Sequence, residues 1–339
     1  MSARRTLLLA GAAGLAAVTG WRRMARADAA AVAADPRSDL LLGPSGPYGP
    51  VEDRTVPSAD GTPIAVRITG PADAPTVVLA HGWTCSQEFW RPQVLALGDR
   101  LRLVTYDQRG HGASGTPAAE GFSADALAED LEAVLAETVP AGQRAVLVGH
   151  SMGAMSIAAW AGRYPASVGR YAGAALLAST GVSNLISDSG LVPWPAGRPR
   201  LRAAVVRAAL GSTAPTGPAS PLSRRAVRYV ALSEGASPAE VAFCEQIVLA
   251  AKPGPRARWS AAMGTFDLGD GLANLTVPTT VLVGTADRLT PPVHARRMID
   301  LLPQAAPLVE LIGVGHMTPI EAPETVNDLI EQLVKEASA

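Results

Sequence analysis

Residues 144–163 read RAVLVGHSMGAMSIAAWAGR, and this stretch decides the fold. The apolar run at 145–148 is typical of a strand buried on both faces, and residues 156–163 are predicted to form a helix. Between them lies the G-x-S-x-G pentapeptide GHSMG at 149–153. It is predicted to form the turn between the strand and the helix, a turn so tight that its serine takes a strained conformation. We therefore predict that Ser151 is a nucleophile beside a helix N-terminus, where partial positive charge favours an oxyanion.

The pentapeptide alone is a weak signal in a glycine-rich chain, so the prediction depends on the segments around it. Strands and helices alternate along this half of the chain, and the strands are apolar enough to be buried. This pattern predicts an α/β fold with a mostly parallel sheet flanked by helices, after an opening hairpin at Asp60-Gly61. The predicted strands cover 76–80, 101–106 and 171–178, and the predicted helices cover 87–97 and 123–138.

The alternation stops at about residue 183 and resumes after residue 263. The intervening segment is rich in Pro, Gly and Arg and contains short helical patches without a strand. A helical insertion between two strands of a sheet is typical of a cap over the site. We therefore predict a core formed by 51–182 and 264–339, with a helical cap at 183–263.

A hydroxyl nucleophile needs a base, and the base needs a carboxylate to orient it. Asp287 follows a predicted strand at 280–284, and His316 follows another at 308–312. Both therefore leave the carboxyl ends of strands, at the same sheet edge as Ser151. Their order along the chain is that of an α/β-hydrolase triad. Three further acids, Asp130, Asp188 and Asp270, are weaker alternatives because none follows a strand.

Five segments between about residue 51 and the end of the chain form a pattern, in order: HGW at 81–83, DQRGHGAS at 107–114, GHSMG at 149–153, GTAD at 284–287 and GHM at 315–317. In these segments the chain resembles the α/β-hydrolase superfamily. The likeness is to the cap-carrying branch that holds small esterases, lipases and cofactor-free haloperoxidase-like perhydrolases.

The resemblance implies an oxyanion hole formed by the backbone N–H groups of Trp83 and Met152. It implies ester cleavage through an acyl-enzyme, with no cofactor and no metal. His81 and His111 are then expected to brace loops. His150 occupies the variable position of the pentapeptide, and His294 is expected on an exposed helix, which leaves His316 as the base.

Several other functions stay open. The same triad supports perhydrolase or haloperoxidase-like chemistry, and thioester or C–C bond hydrolysis. A non-catalytic ligand-binding protein on this fold is a further alternative. Superfamily members with an aspartate nucleophile are disfavoured by Ser151, and no H-x-H, H-E-x-x-H or C-x-x-C motif indicates a metal hydrolase.

Apolar residues of the cap and of the site favour a small, apolar ester as the partner. A predicted pocket includes Leu289, Trp194 and Met317, and substitution of Trp194 or Trp259 is expected to weaken any preference for longer acyl chains. The alternative is that these residues only pack the cap onto the sheet.

Composition sets the broader limits. With 339 residues, a formal net charge of −1 and 48% hydrophobic residues, the chain is expected to be one large domain with an insertion, and nucleic acid is not expected as a partner. Cys85 and Cys244 are expected to be free thiols, with a single bridge as the alternative.

The N-terminus has the features of an export signal. Arg4-Arg5 precede an apolar run to about Val18, and residues 25–27 offer an A-x-A cleavage site. We predict an exported protein with a twin-arginine signal at 1–27 and a linker at 28–50. An uncleaved membrane anchor, with membrane association through this segment only, or an extension without function are the alternatives.

Overall fold

The computed structural model describes residues 3–44, 51–191, 199–214 and 217–338. Its centre is an eight-stranded sheet in the order β1-β2-β4-β3-β5-β6-β7-β8. Strands β1 and β2 run antiparallel to their neighbours, and the others are parallel. The strands are β1 (Val51–Pro57), β2 (Pro63–Thr69), β3 (Thr76–Ala80), β4 (Arg102–Tyr106), β5 (Ala145–His150), β6 (Ala172–Ala178), β7 (Thr279–Gly284) and β8 (Val309–Leu311). This arrangement confirms the predicted α/β fold and its opening hairpin.

Helices cover both faces of the sheet. In the core they are α3 (Arg91–Leu97), α4 (Ala124–Thr138), α5 (Met152–Arg163), α6 (Pro165–Tyr171), α12 (Gly269–Asn274), α13 (Pro292–Ile299), α14 (Thr318–Glu321) and α15 (Pro323–Ser338), with short 3-10 turns at Gln87–Trp90 and Ala119–Gly121. Before the sheet lie α1 (Ala3–Ala33) and α2 (Ser38–Leu42). Between β6 and β7 lie α7 (Leu185–Asp188), α8 (Pro199–Leu210), α9 (Pro221–Ala231), α10 (Pro238–Ala250) and α11 (Pro253–Met263).

The sheet is buried on both faces because alternate strand residues pack against different helices. Val78 and Leu147 face one hydrophobic cluster, which includes residues of α4 and α5. Val77 and Val146 face the other, which includes residues of α3 and α15. The carboxyl ends of the parallel strands are thereby held in a rigid frame.

The predicted linker at 28–50 is wrong for the part that the structure describes. Residues 28–33 continue α1, and α2 docks on the body with Leu41 buried. Asp35 accepts the Ala239 N–H at 2.8 Å, while Arg37 pairs with Glu240. These contacts to α10 order a segment whose composition is typical of a linker. Residues 45–50 lie outside the described part.

Helix α1 also passes without a break through the A-x-A sequence at 25–27. Within the described residues, no helix combines the length and the apolar character needed to cross a membrane.

Candidate active site

The turn between β5 and α5 has the geometry of a nucleophile elbow. Ser151 has φ 50° and ψ −117° and immediately precedes α5. A Cβ added at Gly153 would lie 2.0 Å from the Ala80 carbonyl oxygen, and one at Gly149 would lie 2.5 Å from the Ala154 backbone. Only glycine therefore fits at these two positions, and their close packing holds the serine in its strained conformation.

The predicted oxyanion groups flank the serine. Met152 is the first residue of α5, where the N–H has no partner within the helix. Trp83 follows β3, and its side chain donates to the Arg256 carbonyl at 2.9 Å. The next residue, Thr84, has φ 63°, which is a strained conformation for a β-branched residue. Among the described residues, neither backbone N–H is recorded as a donor to another protein group, so both can face an incoming oxygen.

Asp287 and His316 meet in a buried pair. His316 Nδ1 lies 2.8 Å from Asp287 Oδ2. The other carboxylate oxygen accepts the backbone N–H groups of Leu289 at 2.8 Å and Thr290 at 2.9 Å. The Thr290 hydroxyl donates to Asp287 Oδ2 at 2.9 Å and lies 3.3 Å from His316 Nδ1. The carboxylate is thus fully occupied and fixes the imidazole with Nδ1 protonated.

Sequence reasoning missed Thr290. Its position three residues after an aspartate is typical of a turn in which the carboxylate accepts nearby backbone N–H groups. The sequence therefore does contain a signal that places Thr290 beside the Asp287 carboxylate.

Ser151 and His316 line the same cavity. Between these two described residues the structure records no hydrogen bond, although Nε2 is the free nitrogen of the imidazole. Catalytic hydrogen bonds are often long without substrate and shorten in the reacting complex.

The three alternative acids are engaged elsewhere. Asp130 is paired with Arg109 by two hydrogen bonds of 2.6 and 2.7 Å. Asp188 pairs with Arg297, and Asp270 lies exposed in the first turn of α12. None of them takes the place of Asp287 beside His316.

Two buried histidines brace the loop that carries Trp83. His81 Nε2 accepts the Gln108 N–H at 3.0 Å, and His111 Nε2 accepts the Thr84 N–H at 3.3 Å. Burial lowers the pKa of His81 to about 4 and that of His111 to about 3. Both are therefore neutral acceptors at physiological pH, which suits bracing rather than proton transfer.

The other two histidines differ in how they relate to the site. His150 lines the cavity, stacks on Phe89 with centroids 4.6 Å apart, and its Nε2 lies 2.9 Å from the His316 carbonyl oxygen. His294 lies on a helix with an exposed face, as expected, but its own side chain is buried. It occupies the inner face of α13 against Gly181, a packing that helix periodicity alone did not indicate.

A cavity of about 420 Å³ opens above Ser151. Its walls come from the sheet edge and from the cap, and they are predominantly apolar. The cap contributes, among others, Leu185, Ile186, Leu191, Val206, Leu210, Val227 and Val248. A cavity with apolar walls and a few polar groups at one point suits a ligand with an apolar portion.

Leu289 and Met317 line this cavity. Trp194 lies outside the described residues. Trp259 is not among the residues that line the cavity, which favours the alternative that it packs the cap onto the sheet. It is fully buried, donates to the Arg109 carbonyl at 3.0 Å and meets the Phe122 ring edge-on.

Both cysteines are buried free thiols. Burial raises the pKa of Cys85 to about 12, so this thiol is neutral and unreactive at physiological pH.

Taken together, the parallel sheet, the elbow and the buried Asp–His pair define the α/β-hydrolase class. A sequence model of the alpha/beta hydrolase family matches residues 77–329. The chain belongs to this family, and it is an enzyme of the hydrolase type. The resemblance inferred from the five sequence segments is confirmed.

Two relatives and one solved structure illustrate the range within this fold. A non-heme chloroperoxidase of Streptomyces lividans is 31% identical, over 83% of this chain and 99% of that protein. A bifunctional esterase/perhydrolase of Acinetobacter calcoaceticus is 28% identical, over 80% of this chain and 96% of that protein. The crystal structure of a bacterial membrane phospholipase A has a TM-score of 0.68 at 20% identity, over 98% of this chain and 99% of that one. At that identity, the last likeness shows the fold alone.

Proposed function

We propose that this protein hydrolyses carboxylic esters through a Ser151–His316–Asp287 triad. The observation that carries the proposal is the buried Asp287–His316 pair, 2.8 Å apart, in one cavity with a strained serine. Because the Asp287 carboxylate can only accept a hydrogen bond, a neutral His316 carries its proton on Nδ1 and has its lone pair on Nε2, the tautomer required of a general base.

The reaction follows from this arrangement. Ser151 Oγ attacks the acyl carbonyl while His316 Nε2 takes the hydroxyl proton, and Asp287 stabilises the resulting imidazolium. The N–H groups of Trp83 and Met152 donate to the tetrahedral oxyanion. His316 then gives its proton to the leaving alcohol. Water, activated by the same nitrogen, releases the acid from the acyl-enzyme.

The cavity supports an apolar acyl or alcohol group as the substrate portion buried under the cap. Each additional CH₂ placed there contributes at most about 0.8 kcal/mol, or roughly fourfold in kcat/KM. For p-nitrophenyl esters we expect kcat/KM to rise from two to about six acyl carbons. A flat or falling series in the wild-type protein would mean that the cap selects another property.

The experiment that tests the nucleophile compares Ser151→Ala with Ser187→Ala, a serine on the exposed side of α7. Fluorophosphonate labelling should disappear only in Ser151→Ala, and ester turnover should fall by several powers of ten. Continued labelling of Ser151→Ala, or near wild-type turnover, would refute the assignment. Tight ligand binding without any turnover in the wild type would favour a non-catalytic binding protein.

A second function has specific support. The esterase/perhydrolase relative combines ester hydrolysis with peracid formation, and the chloroperoxidase relative is named for an oxidative activity. We propose that hydrogen peroxide can replace water in attacking the acyl-enzyme, which would yield a peracid instead of an acid. Peracid formation from ester and peroxide, lost in Ser151→Ala, is the expected result, and its absence in the wild type would exclude this activity.

For localisation we propose export. The twin arginines, the apolar run that follows them and the A-x-A sequence at 25–27 support it. N-terminal sequencing of the native protein should give a start near Asp28. An intact Met1 or Ser2 would exclude export by cleavage and favour the membrane anchor.

A further inference from the structure

Two residues indicate where the active-site cavity reaches solvent. Among the lining residues that the structure describes, only Ala214 and Ala226 are exposed to solvent. Ala214 follows α8 and Ala226 lies on α9. Their exposure points to substrate entry beside these two helices, past the outer surface of the cap.

Three apolar side chains are exposed on the two helices beside this opening. Val206 and Leu210 of α8 line the cavity, while Leu201 and Val205, about a quarter of a turn away on the same helix, are exposed. On α9, Leu222 has 68% of its surface exposed. Exposed apolar side chains on helices that border an opening suit contact with another apolar surface.

Helix α1 adjoins this surface. Asp28 of α1 pairs with Arg225 of α9 at 3.2 Å, one turn from Leu222. Towards the start of α1, Val18, Trp21 and Met24 are exposed, and their spacing of three places them on one side of the helix. Tryptophan in such a position is typical of a membrane interface.

Charge is segregated along the chain, although the net charge of −1 conceals it. Residues 1–44 and 183–263 together contain 16 Lys or Arg and seven Asp or Glu, whereas the rest contains 13 and 23. The N-terminal and cap segments therefore carry +9 and the core −10. The overall balance of charges alone does not reveal this distribution.

Arginines surround a depression of about 170 Å³ between the cap and the loop that follows β7, lined by Arg225, Arg228, Tyr229, Ser233, Glu234 and Arg288. Arg225 and Arg228 are exposed, and the Arg288 guanidinium lies 4.8 Å from the centre of the Tyr229 ring. The carboxylates of Glu234, 3.7 Å from Arg288, and of Asp28, 3.2 Å from Arg225, offset part of this charge. Among the described residues, Arg228 is in no ion pair. Guanidinium groups beside apolar side chains suit phosphate groups at the surface of a lipid layer.

We propose that the outer surface of the cap docks on an anionic lipid bilayer. The docking face is defined by Leu201, Val205 and Leu222 with Arg225 and Arg228 of α9. In the uncleaved chain, α1 extends it. The apolar side chains enter the interfacial region, and the arginines contact lipid phosphates. The cavity mouth then opens towards the membrane, and apolar substrate passes from the lipid layer to Ser151. This route rests on the proposed function, but docking itself does not. Nucleic acid would use the arginines and would gain nothing from the exposed aliphatic side chains.

The test is flotation of the full chain with vesicles of phosphatidylcholine, alone or mixed with phosphatidylglycerol. The docking variant is Leu201→Gln/Val205→Gln/Leu222→Gln. The matched control is Val51→Gln/Leu301→Gln/Ile312→Gln, which removes three exposed apolar side chains from the acidic core without changing charge. Wild type and control should bind phosphatidylglycerol vesicles in a salt-sensitive manner, and the docking variant should bind about tenfold more weakly or less.

Activity on a soluble short ester should be unchanged in the docking variant, which separates loss of docking from loss of the fold. If the triple variant is inactive, the single Leu222→Gln variant takes its place. Ser151→Ala should bind vesicles like wild type, so docking and hydrolysis can fail independently. The proposal is overturned if wild type ignores anionic vesicles or if docking variant and control bind equally. It is also overturned if Val18→Gln/Trp21→Gln/Met24→Gln abolishes binding while the cap variant has no effect.

Discussion

Replacing Asp287 by asparagine tests how the carboxylate controls the proposed base. In the protein, Asp287 Oδ1 accepts two backbone N–H groups, at 2.8 and 2.9 Å. An asparagine must keep its carbonyl oxygen there, because two buried donors without acceptors would cost about 1–3 kcal/mol each. Its NH₂ group then faces His316 Nδ1.

Two donors cannot face each other, so the imidazole must present an unprotonated Nδ1 to the asparagine and carry its proton on Nε2. That nitrogen then cannot accept the proton of Ser151. We expect kcat to fall by about 10⁴, equivalent to roughly 5.4 kcal/mol of transition-state stabilisation. Because aspartate and asparagine are nearly isosteric, the urea midpoint of unfolding should change little.

The assay is kcat on a p-nitrophenyl ester, with Asp188→Asn as the control. Asp188 is also paired with a cationic side chain, Arg297, but it does not touch His316. Its substitution should leave kcat within about twofold. A loss of only a few-fold in Asp287→Asn, or an equal loss in the control, would refute this account of the base.

Three further predictions concern stability. Gly153→Ala should destabilise the protein by at least about 3 kcal/mol, because its Cβ would meet the Ala80 oxygen. The control Gly169→Ala, in open space on α6, should be neutral or stabilise by up to about 1 kcal/mol. Urea unfolding measures both changes. Because His81 is neutral in the folded state with a pKa of about 4, the unfolded state binds the proton first, and stability falls as pH drops from about 6.5 to 4. His81→Asn should remove about 2 kcal/mol of the loss between pH 7 and pH 5, and an unchanged pH dependence would contradict the assignment. Trp259→Ala should lower the free energy of unfolding by about 3–5 kcal/mol, because the side chain is fully buried. The dependence of kcat/KM on acyl length should stay the same, and a change in that dependence would indicate that Trp259 contacts the substrate.

Much of the fold could be predicted because its signals are local. The buried strand before Ser151 and the alternation of strands and helices depend on runs of a few residues. The position of Asp287 and His316 followed from a rule of topology, since parallel strands bring their carboxyl ends to one edge. Those predictions needed no knowledge of which side chains pack together.

The errors share a different physical origin. Leu41 is buried by α10 and α3, which lie far along the chain, and composition alone indicated a linker. His294 and Trp259 both lie on helices, and their side chains are buried. Which way such a side chain points depends on how its helix packs against the rest of the protein. Tertiary contacts of this kind override local propensity.

The cap and the proposed base share a backbone junction. The carbonyl of Ala231, the last residue of α9, accepts the N–H groups of both His316 and Met317, at 3.0 and 3.2 Å. The next turn is tied to the same loop, since Glu321 accepts the N–H groups of Ser233 and Gly315. Grafting a foreign cap to change specificity would therefore also replace the backbone acceptor that positions the loop of the proposed base. For protein engineering, residues 231–233 belong with that loop, so a replaced cap segment should end before residue 231.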